Sequence, residues 1–424
     1  MRALWFHLMP YQDLPDNFKN EHRSVWVSIE RSLFDSQRGH ELYNEYMDEL
    51  EFAAEQGFDA ICVNEHHACG YGMMPSPNLI ASALARRTSD VALCVLGNSV
   101  ALYNPPTRVA EEMAMIDCIS GGRMIAGFPV GSPMDTCYAY GQNPSLLRER
   151  YYEAHDLVKR AWTEKETFAF SGRFNQQRYV NIWPRPIQND PHPPIWIPGG
   201  GSVETWRWCA EMDYVYCYLS YYGYKAGLHT MQGFWKEMEK LGKDRNPYRA
   251  GFLQFVGVAE SRQQALDLYT EPAEYFYGRC LHIDPRFATP PGYTTEATMR
   301  AGIESMVSKA ANVANPATKA ALKATNMKDI VDGGYVIIGS PDEVVEQILH
   351  VGKSLNVGNL MLLLQFGNMS KDTTLYNTKM FAEKVMPRVK GLFSEWEHKW
   401  WPKPMAKSQR AAIPAFRPTT VAAE

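Results

Sequence analysis

Short apolar runs alternate with amphipathic stretches along most of this 424-residue chain. Eight of the runs read as buried strands, and they lie at residues 2–8, 60–63, 92–100, 124–128, 194–198, 214–219, 252–258 and 360–364. The stretches between them have helical spacing; in residues 41–56, for example, Leu42, Tyr46 and Leu50 fall on one face. Strand-then-helix units in series predict a parallel sheet, and eight such units close a barrel. We therefore predict an α/β fold, an eight-stranded (β/α) TIM barrel.

The pattern predicts a single domain over residues 1–401 and an extended C-terminal tail over residues 402–424. The tail is rich in Pro, Ala, Lys and Arg, a composition typical of segments that are disordered or lie on a partner subunit. Two long insertions interrupt the domain at about residues 9–39 and 259–339. Both follow the carboxyl end of a predicted strand, which is the end where such barrels carry their chemistry.

The second insertion has the composition of a lid over the barrel mouth. It combines the aromatic cluster Tyr275–Phe276–Tyr277 with a proline-rich stretch at residues 284–292. Arg279 and His282 lie between the two and could orient a substrate. A loop of this length in a compact domain is usually functional or carries its own helices. Packing at a subunit interface is the alternative.

Composition excludes several classes of partner. Charged residues make up 21% of the chain and the formal net charge is −4, which argues against nucleic acid and against an anionic membrane surface. No apolar run reaches membrane-spanning length and the first residues lack the long apolar run of a signal peptide, so we expect neither a membrane span nor a signal peptide. The eight cysteines form no CxxC pair, so we expect a cytoplasmic protein with reduced thiols and no metal site.

The motif Asn64-Glu65-His66-His67 directly follows the second predicted strand. Four polar residues at the catalytic end of a barrel are poor packing material, and imidazoles handle protons near neutral pH. His66 and His67 are therefore the candidate catalytic residues. A purely structural hydrogen-bonding role is the alternative. A metal site is disfavoured because two adjacent histidines cannot share a helix face and no HExxH spacing is present.

Two further segments could bind a ligand. Gly199-Gly200-Gly201-Ser202 connects the fifth strand to a helix, and glycines at a helix N-terminus let backbone amides approach a phosphate closely. The alternative is a tight turn without a ligand. Asn98 and Ser99 close the third predicted strand and face the same pocket, or else Asn98 only caps the strand.

In combination these segments resemble the bacterial-luciferase-like flavin-dependent monooxygenases. The resemblance covers about residues 1–390. Its matching stretches are GFDAICVNEHH, SPNLIASALARRTSDVALCVLGNSVAL, RVAEEMAMIDCISGGRMIAGF, WPRPIQNDPHPPIWIPGGGSVET and GSPDEVVEQI before NLMLLLQFG. It implies that His66 lies beside flavin and substrate and that Gly200, Gly201 and Ser202 hold the FMN phosphate. It also implies a cis peptide after the third strand, at Ser99–Val100.

The resemblance further implies how such an enzyme works. Reduced FMN would come from a separate NAD(P)H flavin reductase, and molecular oxygen would supply one atom to a small organic substrate. We expect a homodimer or homotetramer. Pro129 stands where bacterial luciferase has a reactive cysteine, so luciferase's aldehyde oxidation is not implied.

Two other functions stay open at this point. One is a deazaflavin-dependent dehydrogenase of the same superfamily, which is disfavoured because residues 199–205 contain no Lys or Arg for its longer anionic tail. The other is a flavin-binding protein without catalysis, against which the His66–His67 pair argues.

Overall fold

The computed structural model describes residues 1–219, 221–307 and 326–412. Part of the predicted second insertion (308–325) and the end of the predicted tail (413–424) lie outside the described residues. Within the described ranges the strands are β1 (Arg2–Phe6), β2 (Ala60–Val63), β3 (Ala92–Leu96), β4 (Met124–Gly127), β5 (Phe168–Ser171), β6 (Gln176–Val180), β7 (Ile195–Gly199), β8 (Val215–Tyr218), β9 (Ala250–Val258), β10 (Val336–Gly339) and β11 (Asn359–Leu363).

The α-helices lie between these strands and cover the sheet. They are α1 (Phe18–Glu21), α2 (Ser36–Glu55), α3 (Pro77–Arg87), α4 (Thr107–Ser120), α5 (Leu147–Thr163), α6 (Val203–Met212), α7 (Gly223–Lys240), α8 (Arg262–Tyr275), α9 (Pro285–Ala288), α10 (Glu296–Val307), α11 (Met327–Asp332), α12 (Pro341–Leu355), α13 (Lys371–Met380) and α14 (Met386–Val389). Within the described residues, none of these helices is both long and apolar enough to cross a membrane.

The predicted barrel is confirmed. Parallel pairing runs in the order β9, β11, β1, β2, β3, β4, β7, β8 and returns from β8 to β9, which closes the sheet on itself. Strands β1 to β4 are buried over almost their whole length, as expected for a parallel sheet covered by helices. The barrel interior is therefore a packed core, and chemistry is left to the loops at the carboxyl ends of the strands.

Two features of the sheet were not predicted. The antiparallel pair β5–β6 follows α5 and has mostly exposed or half-buried residues, so its apolar pattern is weak. Strand β10 pairs in parallel with the last four residues of β9, from Val336↔Phe255 to Gly339↔Val258. It falls within the predicted insertion 259–339, where a four-residue apolar run does not by itself distinguish a strand from a buried helix.

The predicted boundaries of the third strand and the first long helix were wrong. Strand β3 ends at Leu96, and the cis peptide lies at Leu96–Gly97 instead of Ser99–Val100. Gly97 packs directly on the Gly127 carbonyl, where a side chain could not fit, and the apolar residues that follow form a 3-10 turn. Helix α2 begins at Ser36, five residues earlier than predicted, because the Asp35 side chain accepts from the Arg38 amide as an N-cap.

The first part of the predicted tail lies on the chain's own barrel. The Lys403 amide donates to Gln188, the Met405 amide donates to the Gly121 carbonyl, and Arg410 donates to the Ser89 carbonyl. These partners sit near the amino-terminal ends of the strands, away from the barrel mouth. Residues 403–410 therefore cover the face of the barrel opposite its mouth.

Candidate active site at the barrel mouth

His66 lies at the carboxyl end of β2 and faces a carboxylate from another loop. Its Nδ1 is 3.0 Å from Oδ2 of Asp135, which belongs to a π-helical turn at Met134–Ala139 after β4. Because a carboxylate accepts, Nδ1 carries a proton and the other ring nitrogen is left for a ligand. Within the described residues, Nε2 of His66 has no hydrogen-bond partner. The pair can therefore hold or transfer a proton at a fixed point.

Asp135 is the centre of this cluster. Its side chain is 3% exposed and accepts hydrogen bonds from the Trp26 indole, the His67 amide and the Ser132 hydroxyl, at 3.0, 2.8 and 2.8 Å. Burial raises the pKa of Asp135, but His66 and these donors outweigh burial and hold the pKa below its usual value. Asp135 is thus an ionised group that orients His66. Asp135 was not among the residues predicted from the sequence.

His67 points into a separate network. Its Nε2 is 2.7 Å from Oε1 of Glu65, and Oε2 of Glu65 accepts from the Ser99 amide at 2.9 Å. The Tyr103 hydroxyl also donates to Glu65, at 3.2 Å, and in turn accepts from Asn98 Nδ2 at 3.0 Å. The two candidate histidines are therefore not equivalent: His66 is directed by Asp135, whereas His67 and Glu65 hold the loop after β3 in place.

Unpaired acceptors remain at this end of the barrel. Within the described residues, Oδ1 of Asn64 and Oδ1 of Asn98 are buried without a hydrogen-bond partner. Buried acceptors without a donor are costly, so such atoms commonly mark the place of a ligand or an ordered water. Asn98 lies in the loop after β3 and not in the strand, and its role toward a ligand stays a prediction.

The glycine turn lies at the end of β7 and leads into α6. Gly201 has φ +104°, a conformation that favours glycine, so the tight-turn interpretation holds at that position. Gly200 is different, since a Cβ there would meet no atom within 4 Å. Gly200 is exposed with open space in front of it, while Gly201 serves the turn itself.

A cation that the sequence analysis missed reaches this turn from α5. Arg148 donates from Nη2 to the Ser202 hydroxyl and from Nη1 to the Thr205 hydroxyl, both at 3.2 Å. Two hydroxyls and a guanidinium at the N-terminus of α6 form an arrangement suited to a phosphate. Arg148 also removes the reason given for disfavouring a deazaflavin, because positive charge does lie beside residues 199–205.

Aromatic side chains line the barrel mouth between the loops and form an aromatic wall. Trp26 meets His66 edge to face at 4.9 Å and stacks on Tyr71 at 4.7 Å. Tyr71 in turn contacts Tyr221 and Phe276, with ring centroids 5.6 and 6.0 Å apart. Trp26 and Tyr71 thus pack against His66, whose side chain is 14% exposed.

The predicted lid begins as part of this wall. Phe276 contributes one of its rings, and the Tyr275 hydroxyl donates to the Tyr11 carbonyl while it accepts from the Leu14 amide. Arg279 and His282, which were predicted to orient a substrate, both bond residues of the first insertion. Arg279 donates to the Leu14 carbonyl and pairs with Asp16, while His282 bonds the His22 carbonyl. Both residues hold the first insertion against the second.

Comparison with known proteins identifies the family. The family model described as luciferase-like monooxygenase matches residues 24–355. The chain belongs to the luciferase-like monooxygenase family. This flavin-dependent family also has relatives that use the deazaflavin F420.

Three relatives of this chain indicate the range of the family. The oxygenase component of flavin-dependent trigonelline monooxygenase from Acinetobacter baylyi is 32% identical over 41% of this chain and 48% of that protein. Limonene 1,2-monooxygenase from Rhodococcus erythropolis is 23% identical over 81% of this chain and 80% of that protein. An F420-dependent glucose-6-phosphate dehydrogenase from Kineococcus radiotolerans is 31% identical over 36% of this chain and 46% of that protein.

Solved structures confirm the fold of this chain. The oxygenating constituent of 3,6-diketocamphane monooxygenase from Pseudomonas putida, in complex with FMN, superimposes with a TM-score of 0.67. It is 17% identical, and the match covers 91% of this chain and 98% of that one. An F420-dependent secondary alcohol dehydrogenase superimposes with a TM-score of 0.60. It is 16% identical, and the match covers 92% of this chain and 98% of that one. At these identities the likeness concerns the barrel alone.

Proposed function

We propose that this chain is the oxygenase of a two-component flavin-dependent monooxygenase. It takes reduced FMN from a separate NAD(P)H flavin reductase and uses molecular oxygen to oxygenate a small organic substrate. The observation that carries the proposal is the meeting of Arg148, Ser202 and Thr205 beside the open space at Gly200, a site for one terminal phosphate.

The residues present fit a reduced flavin. The unpaired acceptors Asn64 Oδ1 and Asn98 Oδ1 suit a ring system that carries N–H donors, and the glycine turn suits its phosphate. When bound, reduced FMN would supply the two electrons that reduce one oxygen atom to water while the other enters the substrate.

His66 is the residue to which we assign proton handling. Asp135 holds its Nδ1, which leaves Nε2 to donate a proton to, or accept one from, the reacting oxygen. Trp26, Tyr71 and Phe276 exclude water from the same place, and water exclusion favours oxygen transfer over release of hydrogen peroxide. Glu65 and His67 position the loop that carries Asn98 and Ser99.

A titration separates this proposal from its two alternatives. The protein is titrated with FMN, riboflavin and F420, and bound and free cofactor are distinguished by fluorescence. Oxygen consumption is then measured with an NADH flavin reductase present. The proposal requires that FMN binds more tightly than riboflavin and that the amount of oxygen consumed matches the amount of substrate oxygenated. Tighter binding of F420 would favour the dehydrogenase, and FMN binding without any oxygen transfer would favour a non-catalytic protein.

The substitution Gly200→Leu is expected to weaken FMN binding by at least about tenfold, because the new side chain would fill the space proposed for the phosphate. The melting temperature should stay close to that of the wild type, since a Cβ at this position meets no neighbour. Gly391→Leu is a matched control, because a Cβ at Gly391 also meets nothing within 4 Å. If riboflavin binds the wild type as tightly as FMN does, the turn holds no phosphate.

Trimming residues 284–292 is expected to leave FMN binding intact and to raise hydrogen peroxide release per oxygen consumed. This stretch is held by Asp284, which pairs with Arg23 of the first insertion, and by Tyr138, whose hydroxyl donates to the Arg286 carbonyl. Its loss would open the mouth to water. A trimmed protein that stays well coupled but dissociates into monomers would identify the stretch as a subunit interface.

A further inference from the structure

One side chain of the first insertion reaches the pair formed by His66 and Asp135. Trp26 donates from its indole nitrogen to Oδ1 of Asp135 at 3.0 Å, and its ring meets the His66 ring edge to face with centroids 4.9 Å apart. Trp26 is 3% exposed, so this hydrogen bond is shielded from water. Trp26 therefore contacts both members of the pair, although it comes from the loop after β1 and they come from the loops after β2 and β4.

The backbone on both sides of Trp26 is held by neighbouring loops. The Val27 amide donates to the Ala68 carbonyl at 2.8 Å, and the Val25 carbonyl accepts from the Gly70 amide at 3.0 Å, which together form a short antiparallel bridge. The Val25 amide donates to a carbonyl of the second insertion at 2.8 Å. The place of the indole is therefore set by how the first insertion lies on the loop after β2 and on the second insertion.

The two oxygens of the Asp135 carboxylate have different donors. Oδ1 accepts from the Trp26 indole and the His67 amide. Oδ2 accepts from the Ser132 hydroxyl and lies 3.0 Å from Nδ1 of His66. An indole N–H only donates and does not titrate, and a hydrogen bond to an ionised carboxylate stabilises its charged form. Loss of the indole N–H would leave Oδ1 with one donor, so the carboxylate would bind the proton on His66 more strongly.

His66 is the side chain at which a change in this cluster can be observed, because an imidazole exchanges protons near neutral pH. His67 faces Glu65 instead. Within the described residues, the other titratable side chains influenced by the Asp135 charge are a thiol and three phenols. Burial raises the pKa of each and the Asp135 charge raises it further; they are Cys69, Tyr140, Tyr221 and Tyr293. These four groups therefore stay neutral at neutral pH.

We infer that Trp26 is a positioning residue, through which the first insertion sets how readily His66 releases a proton. This inference rests on the proton handling that the proposed function assigns to His66. With the indole in place, part of the carboxylate charge is satisfied from the first insertion, and His66 can release a proton from Nε2 to the reacting oxygen. Without the indole N–H, Asp135 holds His66 in its protonated form more strongly, and that release becomes slower.

The experiment follows the His66 imidazole by NMR as the pH is changed, in the full chain with isotope-labelled histidine and no added cofactor. The His66 signal is identified by its absence in His66→Ala. Trp26→Phe keeps an aromatic ring and removes the indole N–H, and we expect the titration midpoint of His66 to rise by about one pH unit in this variant. Trp235→Phe is the matched control, because Trp235 is also 3% exposed and donates from its indole to a backbone carbonyl. It should keep the wild-type midpoint.

Two further measurements accompany the titration. Coupled oxygenation at neutral pH should fall by about tenfold in Trp26→Phe and stay within about twofold of the wild type in Trp235→Phe. The second measurement needs no variant and so does not depend on the folding of one. In the wild type, the indole N–H resonance of Trp26 should shift with the same pH midpoint as His66, because both donate to one carboxylate.

The outcomes separate this inference from the proposed function. If the His66 midpoint is unchanged in Trp26→Phe, or rises equally in Trp235→Phe, Trp26 only packs against the pair and the inference is wrong, even where turnover falls. A wild-type Trp26 resonance that does not respond to pH would contradict it as well. In each of these cases substrate oxygenation by the wild type would leave the proposed function standing. A midpoint that rises only in Trp26→Phe, in a protein that oxygenates no substrate, would support the inference and contradict the proposed function.

Discussion

Replacement of His66 by alanine is expected to lower coupled substrate oxygenation by about 100- to 10,000-fold, the range for loss of a positioned acid or base. FMN binding should change by no more than about threefold, because the phosphate contacts come from other loops. The chemical reason is that Nε2 of His66 is the ring nitrogen left for the reacting oxygen once Asp135 holds Nδ1.

The measurement is product formed per oxygen consumed, with hydrogen peroxide followed in parallel. His40→Ala is the control, since His40 is an exposed histidine on α2, away from the site. Coupled turnover that is undiminished in the His66 variant would remove this residue from the mechanism. His67 would then be the next candidate, although its bond to Glu65 favours a positioning role.

Replacement of Asp135 by asparagine is expected to cost about 100-fold in coupled turnover, because a neutral amide cannot hold His66 as a carboxylate does. Asp135 acts through His66, so the two substitutions should not add. The double variant should be no slower than the His66→Ala single variant. Asp135→Glu should recover part of the activity if the carboxylate charge is what matters.

A structural role alone would give a different result. Asp135 also accepts from Trp26, Ser132 and the His67 amide, so its removal leaves several donors unpaired and lowers stability. If coupled turnover falls in the double variant, relative to His66→Ala, by the same factor that Asp135→Asn alone causes, the two residues act independently. Asp135 would then be a support of the fold and not a positioning residue for His66.

The barrel could be predicted because its signals are local. Apolar runs, helical spacing and breaking glycines repeat along the chain, and the polar motif at residues 64–67 directly follows a buried strand. The partners of that motif could not be predicted. Asp135 lies 69 positions from His66, and Arg148 lies 54 positions from Ser202, so only closure of the barrel brings each pair together.

The remaining errors arose where sequence pattern and backbone geometry diverge. The apolar run at residues 92–100 reads as one strand, yet the strand ends at Leu96 because the chain turns where Gly97 packs on the Gly127 carbonyl. The prediction that the glycine turn lacks positive charge rested on residues 199–205 alone, whereas Arg148 reaches the turn from α5. Local composition does not report on side chains that arrive from other elements.

The separation of the two clusters has an evolutionary consequence. The cluster proposed to handle protons lies on the loops after β2 and β4, and the cluster proposed to hold the phosphate lies on the turn after β7 and on α5. Substitutions at sites that share no contact have nearly additive effects. The aromatic residues around His66 can therefore change under selection for new substrates while the residues proposed to bind the cofactor are kept. New substrate specificities can then evolve without a new cofactor site.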